Sequence, residues 1–294
     1  MKILLLGKNG QIGFELNKRL HVLGDVIATD RSQLDLSKPD QIRRFIDQLN
    51  PDMIINTAGY TAVDQAESEP ALVSQINAIA PQVLAEKAAQ LDIPLVHFST
   101  DYVFDGFKKG YYFEDDIPNP QSTYAKTKWE GEEAIRQHKK HIIVRASWVF
   151  GPHGHNFLKT ILRLVQEKDS LTIVNDQWGS PASASMLGDV TLHIANIILN
   201  HKAFPNYGTY HVTCEGETNW YQYATFITEE AIQLGLKVTC DPQHIHPIST
   251  SQYPMAAKRP LNSRLSTHKL RKVFMLELPR WQDEVKQVLR TLVH

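Results

Sequence analysis

Cysteine is scarce: the 294 residues include two, Cys214 and Cys240, neither in a metal-ligand spacing. A secreted disulfide scaffold would carry more, so a reducing cytoplasm is the expected compartment. Excess charge of either sign is lacking too. With 31 basic and 32 acidic side chains the formal net charge is -1. Basic residues come only in pairs such as Arg43-Arg44 and Lys139-Lys140, without the stripe expected of a nucleic-acid binder. No run approaches the roughly 18 uninterrupted apolar residues of a membrane span. The short apolar start Met1–Leu6 meets glycines and Lys8 at once, so no signal peptide is expected. Thirteen histidines include the i, i+2 pairs His153/His155 and His244/His246. None falls in a zinc-protease spacing, and no catalytic metal is expected.

What is present is an ordinary globular mixture, 42% hydrophobic and 21% charged, long enough for one or two domains. Short apolar runs alternate with amphipathic ones through the first half. Ile3–Leu6, Val26–Ala28, Met53–Thr57, Leu95–Phe98 and Ile142–Ala146 read as strands. Ile12–Leu23, Pro39–Leu49, Asn77–Leu91 and Tyr124–Gln137 read as the helices between them. Uniformly apolar strands separated by helices predict a parallel sheet covered on both faces. Beyond Gly151 the rhythm loosens. Helices are expected at Phe157–Gln166, Met186–Leu199, Trp220–Gly235 and Trp281–Leu292, with strands at Leu171–Val174 and Gly208–Val212. Residues 241–262, rich in Pro, His and Ser, predict an irregular surface segment.

Gly7-Lys8-Asn9-Gly10-Gln11-Ile12-Gly13 follows the first strand and opens the first helix. Glycines there turn the chain tightly and admit a pyrophosphate, which the N–H groups of a helix start then hold. Gly7, Gly10, Gln11, Ile12 and Gly13 are therefore candidate dinucleotide contacts, and the fold is expected to be a Rossmann doubly wound parallel α/β sheet. Asp30, 23 residues after Gly7, suits the adenosine ribose hydroxyls, whereas the adjacent Arg31 suits a 2′-phosphate. The two pull in opposite directions, and either NADPH or NADH is expected as cofactor. Asp35 and Leu36 are candidates for the adenine end. Ala58, Gly59, Tyr60 and Thr61 are candidates where the cofactor crosses the sheet edge, with Phe98 on the fourth strand. A Rossmann domain over residues 1–150 and a smaller, mixed α/β substrate domain over 151–294 are expected, with residues 186–212 returning to the first.

Tyr124-Ala125-Lys126-Thr127-Lys128 sets a phenol and an ammonium four residues apart on one helix face. A free tyrosine, with a pKa of about 10, is a poor acid at neutral pH. A neighbouring cation is expected to lower that value. Ser99-Thr100-Asp101 follows the fourth strand, at the sheet edge where open α/β folds bind ligands. Thr100 can hold a substrate carbonyl beside the phenol.

Thr100, Tyr124 and Lys128 together resemble the Ser/Thr–Tyr–Lys triad of the extended short-chain dehydrogenase/reductases. More narrowly, the chain resembles the dTDP-4-dehydrorhamnose reductase family, through Gly7–Gly13, Ala58–Asp64 with Glu67, Ser99–Gly106 (STDYVFDG), Tyr124–Lys128, Arg145–Phe150 (RASWVF), Asn156-Phe157, Asp176–Pro181 (DQWGSP) and Arg259-Pro260. The resemblance implies hydride transfer from NAD(P)H to C4 of a 4-keto nucleotide sugar, in cell-surface polysaccharide synthesis. It implies Tyr124 as proton donor, Lys128 on the nicotinamide ribose, Thr100 and Asp101 orienting the substrate, and Trp148 flanking the sugar. Related dehydratases carry an acid where Tyr102 stands, which favours simple reduction here. In some family members carboxylates bind Mg²⁺ and join two subunits, so a homodimer stays open. Glu15 and Asp189 are candidates for such a site, but Arg290–His294 adds no acid. A non-catalytic cofactor-binding regulatory subunit, as in a partner of methionine adenosyltransferase, and a nucleotide-sugar epimerase are the competing readings.

Overall fold

The computed structural model describes residues 1–201 and 203–293; His294, the last residue of the acid-free C-terminus, lies outside them. Five of the six strands of the central sheet come from the first half: β1 (Lys2–Leu6), β2 (Asp25–Thr29), β3 (Met53–Asn56), β4 (Leu95–Thr100) and β5 (His141–Ala146). Helices α1 (Gln11–Arg19), α2 (Pro39–Leu49), α3 (Pro70–Ser74), α4 (Ala80–Gln90) and α5 (Thr123–Arg136) run between them. From β1, the chain crosses first to β2 at one edge and later to β3 on the other side, so the order reverses beside β1. Every pairing in this sheet is parallel. Strands β3 and β4 are buried at every position, as a sheet covered on both faces requires.

The second half supplies β6 (Val149–Phe150), α6 (Phe157–Glu167), β7 (Leu171–Val174), β8 (Trp178–Gly179), β9 (Ala182–Ser183) and α7 (Ala184–Asn200). It continues through β10 (Gly208–His211), β11 (Thr218–Asn219), α8 (Trp220–Gln233), β12 (Ile245–Ile248), α9 (His268–Phe274) and α10 (Trp281–Val293). Strand β10 completes the main sheet as the neighbour of β5, and α7 packs on α1. The remaining strands form two-stranded ribbons, β11 with β8, β12 with β7 and β6 with β9. One apolar core joins the inner sheet face to α6, α7, α8 and α10. A second lies under α2 and α4 on the other face.

Three expectations need correction. The helix read from Asn77 begins at Pro70 and widens into a π turn over Gln75–Ile79 before α4. Pro81 has no N–H to return to the Asn77 carbonyl, and that carbonyl lies where a Cβ on Gly131 of α5 would stand only 2.1 Å away. The first helix ends at Arg19 and tightens into a 3₁₀ turn over Leu20–Val22. Residues 241–262 are more ordered than their composition suggests, because β12 pairs along β7 and Ile245, Ala257 and Asn262 are buried. Helix α9 had no expectation attached to it.

Candidate active site

A cavity of about 850 Å³ opens at the carboxyl ends of β1, β3, β4 and β5, the edge where open α/β sheets bind ligands. Its floor on one side is backbone. Gly7 turns with φ +89°, and a Cβ there would come within 2.9 Å of the Ala58 nitrogen. Gly13 does not line the cavity; a Cβ on it would sit 2.1 Å from the Gly7 carbonyl, so its work is to seat α1 against the turn. Helix α1 has no side-chain cap at Gly10. Its first N–H groups, from Gln11 onward, therefore remain free for an anion at the positive end of the helix dipole. Gly7, Gly10, Gln11 and Ile12 all line this part. The donors and the steric clearance fit a pyrophosphate.

Asp30 closes the far end. Its carboxylate accepts from the Ser32 hydroxyl (2.6 Å) and N–H (2.9 Å) and pairs with Lys8 at 3.4 Å. Ser32, then Lys8, hold its pKa down to about 2. Arg31 reaches out beside it, with its side chain 76% exposed and 4.0 Å from Asp35. An acceptor for ribose hydroxyls and an exposed cation thus share the same rim. Ala58, Gly59, Thr61 and Phe98 line the middle of the cavity.

Besides Gly13, three expected contacts do not reach the wall. Asp35 is turned to Ser37, whose N–H and hydroxyl it accepts at 3.0 and 2.8 Å. Leu36 is buried in the second core, where its apolar side chain is better placed than in a polar cleft. Tyr60 donates its phenol to Glu69 Oε2 at 2.6 Å, and its N–H to Asn77 Oδ1. Glu15 and Asp189 face an existing cation instead of an open metal site. Arg19 donates to Asp189 Oδ1 at 2.7 Å, pairs with Glu15 and reaches Ser185. No group of three metal-capable side chains occurs among the described residues.

The other wall is made of side chains. Helix α5 starts on a Ser122 cap, and Glu67 accepts from both the N–H and the hydroxyl of Thr123 at 2.8 and 2.9 Å. That anchorage brings Tyr124 and Lys128 into the cavity together. Burial pushes the Tyr124 phenol up to about 12, with the Thr100 hydroxyl pulling the other way. Lys128 does not lower it here; its ammonium donates to the Phe98 carbonyl at 2.7 Å. Burial also lowers Lys128 to about 8, opposed by Glu132. Thr100 accepts from the Tyr102 N–H at 3.2 Å and donates to Asp101 Oδ1 at 3.1 Å. Asp101, 2% exposed, keeps its Oδ2 without a partner among the described residues. Burial raises its pKa to about 7.

Trp148 lies beyond them in a left-handed conformation, φ +46°, which costs a non-glycine residue about 1–3 kcal/mol. Its indole stacks on Trp220 with centroids 3.6 Å apart. A Cβ on Gly179 would come within 2.6 Å of the ring, which explains the glycine of the DQWGSP segment. Trp220 and Tyr102 line the cavity without having been singled out as contacts. Trp220 stands 72 residues from its stacking partner, and no local spacing signals that pairing. His155 also lines the cavity, while His153 stacks on Phe14 and bonds the Asn9 carbonyl at 3.0 Å, pinning its loop over the glycine turn. Arg259 clamps Asp64 at 2.7 and 3.0 Å, and so ties the segment 257–259 to the loop after β3.

Residues 1–294 match the family described as the RmlD substrate binding domain. A dTDP-4-dehydrorhamnose reductase of Escherichia coli (strain K12) is 40% identical over 297 residues, covering 99% of this chain and 98% of that protein. The crystal structure of a dTDP-4-dehydrorhamnose reductase from Clostridium acetobutylicum superposes with a TM-score of 0.90 at 36% identity, with both chains covered completely. One from Bacillus anthracis, solved in complex with NADP, gives a TM-score of 0.88 at 33% identity, with 99% of each chain covered. The chain therefore belongs to the dTDP-4-dehydrorhamnose reductase family.

Proposed function

We propose that the cavity reduces the C4 ketone of dTDP-4-dehydro-β-L-rhamnose to the alcohol of dTDP-L-rhamnose, in dTDP-rhamnose and cell-surface polysaccharide synthesis. The observation that carries this reading is Tyr124 and Lys128 opening, with Thr100, into the cavity floored by the glycine turn. NADPH or NADH supplies the hydride when bound. Gly7, Gly10, Gln11 and Ile12 hold its pyrophosphate by backbone, Asp30 or Arg31 selects at the adenosine ribose, and Lys128 takes the nicotinamide ribose.

Tyr124 is the proton donor. A phenol held up to about 12 by burial is fully protonated at neutral pH, the state a reduction needs at its start. As the ketone oxygen gains negative charge, the Tyr124 O–H bond breaks and its proton passes to that oxygen. Thr100 and Asp101 orient the substrate, and the Trp148–Trp220 stack supplies a flat wall for the sugar. Positioned proton transfer contributes about 10²–10⁴-fold.

In this reading residues 1–150 carry the cofactor and 151–294 mainly the nucleotide sugar, with α7 and β10 returning to the first part. No described helix is long and apolar enough to cross a membrane; we place the protein in the cytoplasm, where its cofactor is found reduced. The test is NADPH and NADH oxidation with dTDP-, UDP- and GDP-linked 4-keto sugars. Oxidation fastest with the dTDP compound supports the assignment. Cofactor binding without oxidation of any of the three favours a regulatory subunit instead.

A further inference from the structure

Behind Lys128 lies a buried polar chain that the reaction as described does not use. Asn56, at the end of β3, and His97, in the middle of β4, are register partners in the sheet and fully buried. The Asn56 Oδ1 accepts from the backbone N–H of Ala58 at 3.1 Å. A backbone N–H can only donate, so it fixes which end of the amide faces which way. The Asn56 Nδ2 must then donate to His97 Nδ1, 3.0 Å away. Burial drives His97 well below its ordinary value, so the ring is neutral. With Nδ1 accepting, the one ring proton sits on Nε2. That N–H points at Lys128 Nζ, 3.4 Å distant.

An ammonium has donors only, and a histidine N–H facing it is a donor opposed to a donor. The amine form of Lys128 accepts that N–H and still donates to the Phe98 carbonyl at 2.7 Å. We propose that His97, oriented by Asn56 and the Ala58 N–H, is a positioning residue that favours the neutral amine of Lys128 and keeps its proton exchangeable in the working pH range. The inference rests on the reductase reading above: between turnovers the ammonium of Lys128 gives one proton to the Tyr124 phenolate, and the amine left behind regains it from solvent in the cavity that Lys128 lines.

The other groups facing Lys128 set the opposing balance. On its own helix, Tyr124 stands one turn before it, and Glu132 one turn after it favours the ammonium. Glu132 is itself tied to Arg145 of β5, the guanidinium Nη2 lying 2.7 Å from its Oε2, so only part of its charge is left for Lys128. A Cβ on Gly59 would lie 3.8 Å from Lys128 Nζ and 3.2 Å from Asn77 Oδ1, and neither residue carries charge. His97 and Glu132 therefore pull Lys128 in opposite directions across the buried site.

Nitrogen-15 NMR of histidine-labelled protein without cofactor tests the proton placement directly. His97 should show Nδ1 bare and Nε2 protonated from pH 6 to 9, without titrating. A proton on Nδ1, or an imidazolium in that range, overturns the inference. Kinetically, His97→Phe removes the opposing N–H and should move the alkaline limb of the kcat–pH profile up by about one unit, with NADPH affinity within about twofold. His97→Gln, which can turn an amide oxygen to the ammonium, should move it the same way, and serves if the phenylalanine variant does not fold. An unmoved limb also overturns it. Failure of the reductase reading would look different: no turnover by the wild type, with the His97 tautomer still measurable.

Discussion

The two walls of the cavity are built from different materials. The cofactor side is backbone: a glycine turn, the uncapped start of α1, and the small residues Ala58 and Gly59. The substrate side is side chains: Tyr102 and Asp101 at the end of β4, and Trp148 stacked on the distant Trp220. A backbone wall is steric and tolerates almost no added atom, whereas a side-chain wall can be altered piecemeal, with selective effects on one ligand. A fold that binds a nicotinamide cofactor and a particular sugar is served by that division.

Gly13→Ala should break the backbone wall with the largest effect. Its Cβ would lie 2.1 Å from the Gly7 carbonyl, so α1 must move away from the turn. A shift of about 1 Å in bound geometry costs on the order of 100-fold. Turnover with NADPH should show that loss, and an unchanged rate would place the pyrophosphate elsewhere. Trp148→Ala should act on the opposite wall only. Removing a stacked indole worth about 0.5–1.5 kcal/mol beyond its burial should raise KM for the sugar nucleotide by roughly tenfold, leaving NADPH affinity unchanged. Equal effects on both ligands would dissolve the distinction between the walls.

Asp101→Asn probes the same wall through stability, with the smallest expected effect. The folded protein holds the Asp101 proton up to about pH 7, whereas the carboxyl's ordinary value is 3.8. Between those values the unfolded chain loses the proton first, so stability falls as pH rises, and the loss is complete above about 7. The asparagine variant escapes it. Its Tm should exceed that of the wild type at pH 8 by on the order of a few degrees and converge with it near pH 4, while its activity falls. A gap that does not change with pH would mean that Asp101 is not buried as a neutral acid.

The backbone wall was legible in the sequence because its elements are local. Gly7–Gly13, the strand before it and the helix after it lie within 20 residues, and apolar periodicity marked all five N-terminal strands. Tyr124 and Lys128 were legible for the same reason, one helical turn carrying both. On the side-chain wall Asp101 and Trp148 came through the family resemblance alone, and Tyr102 and Trp220 were not read as contacts. Trp220 meets Trp148, and Arg259 meets Asp64, only after the chain has folded, and no spacing encodes either meeting. Asp35 and Leu36 misled because an Asx turn and an apolar core position look, in sequence, like a loop awaiting a ligand. His97 stands within an apolar strand run, and only the register of β3 with β4 puts it behind Lys128.

Tyr124→Phe tests the account most directly, measured for kcat and for NADPH affinity in one preparation. The phenyl ring fills the same space, so only the donor O–H is lost. Turnover should fall by about 10²–10⁴-fold while the NADPH Kd stays within about twofold. A variant that reduces the ketone at near-normal rate would contradict Tyr124 as the source of the proton, and with it the assignment of this cavity.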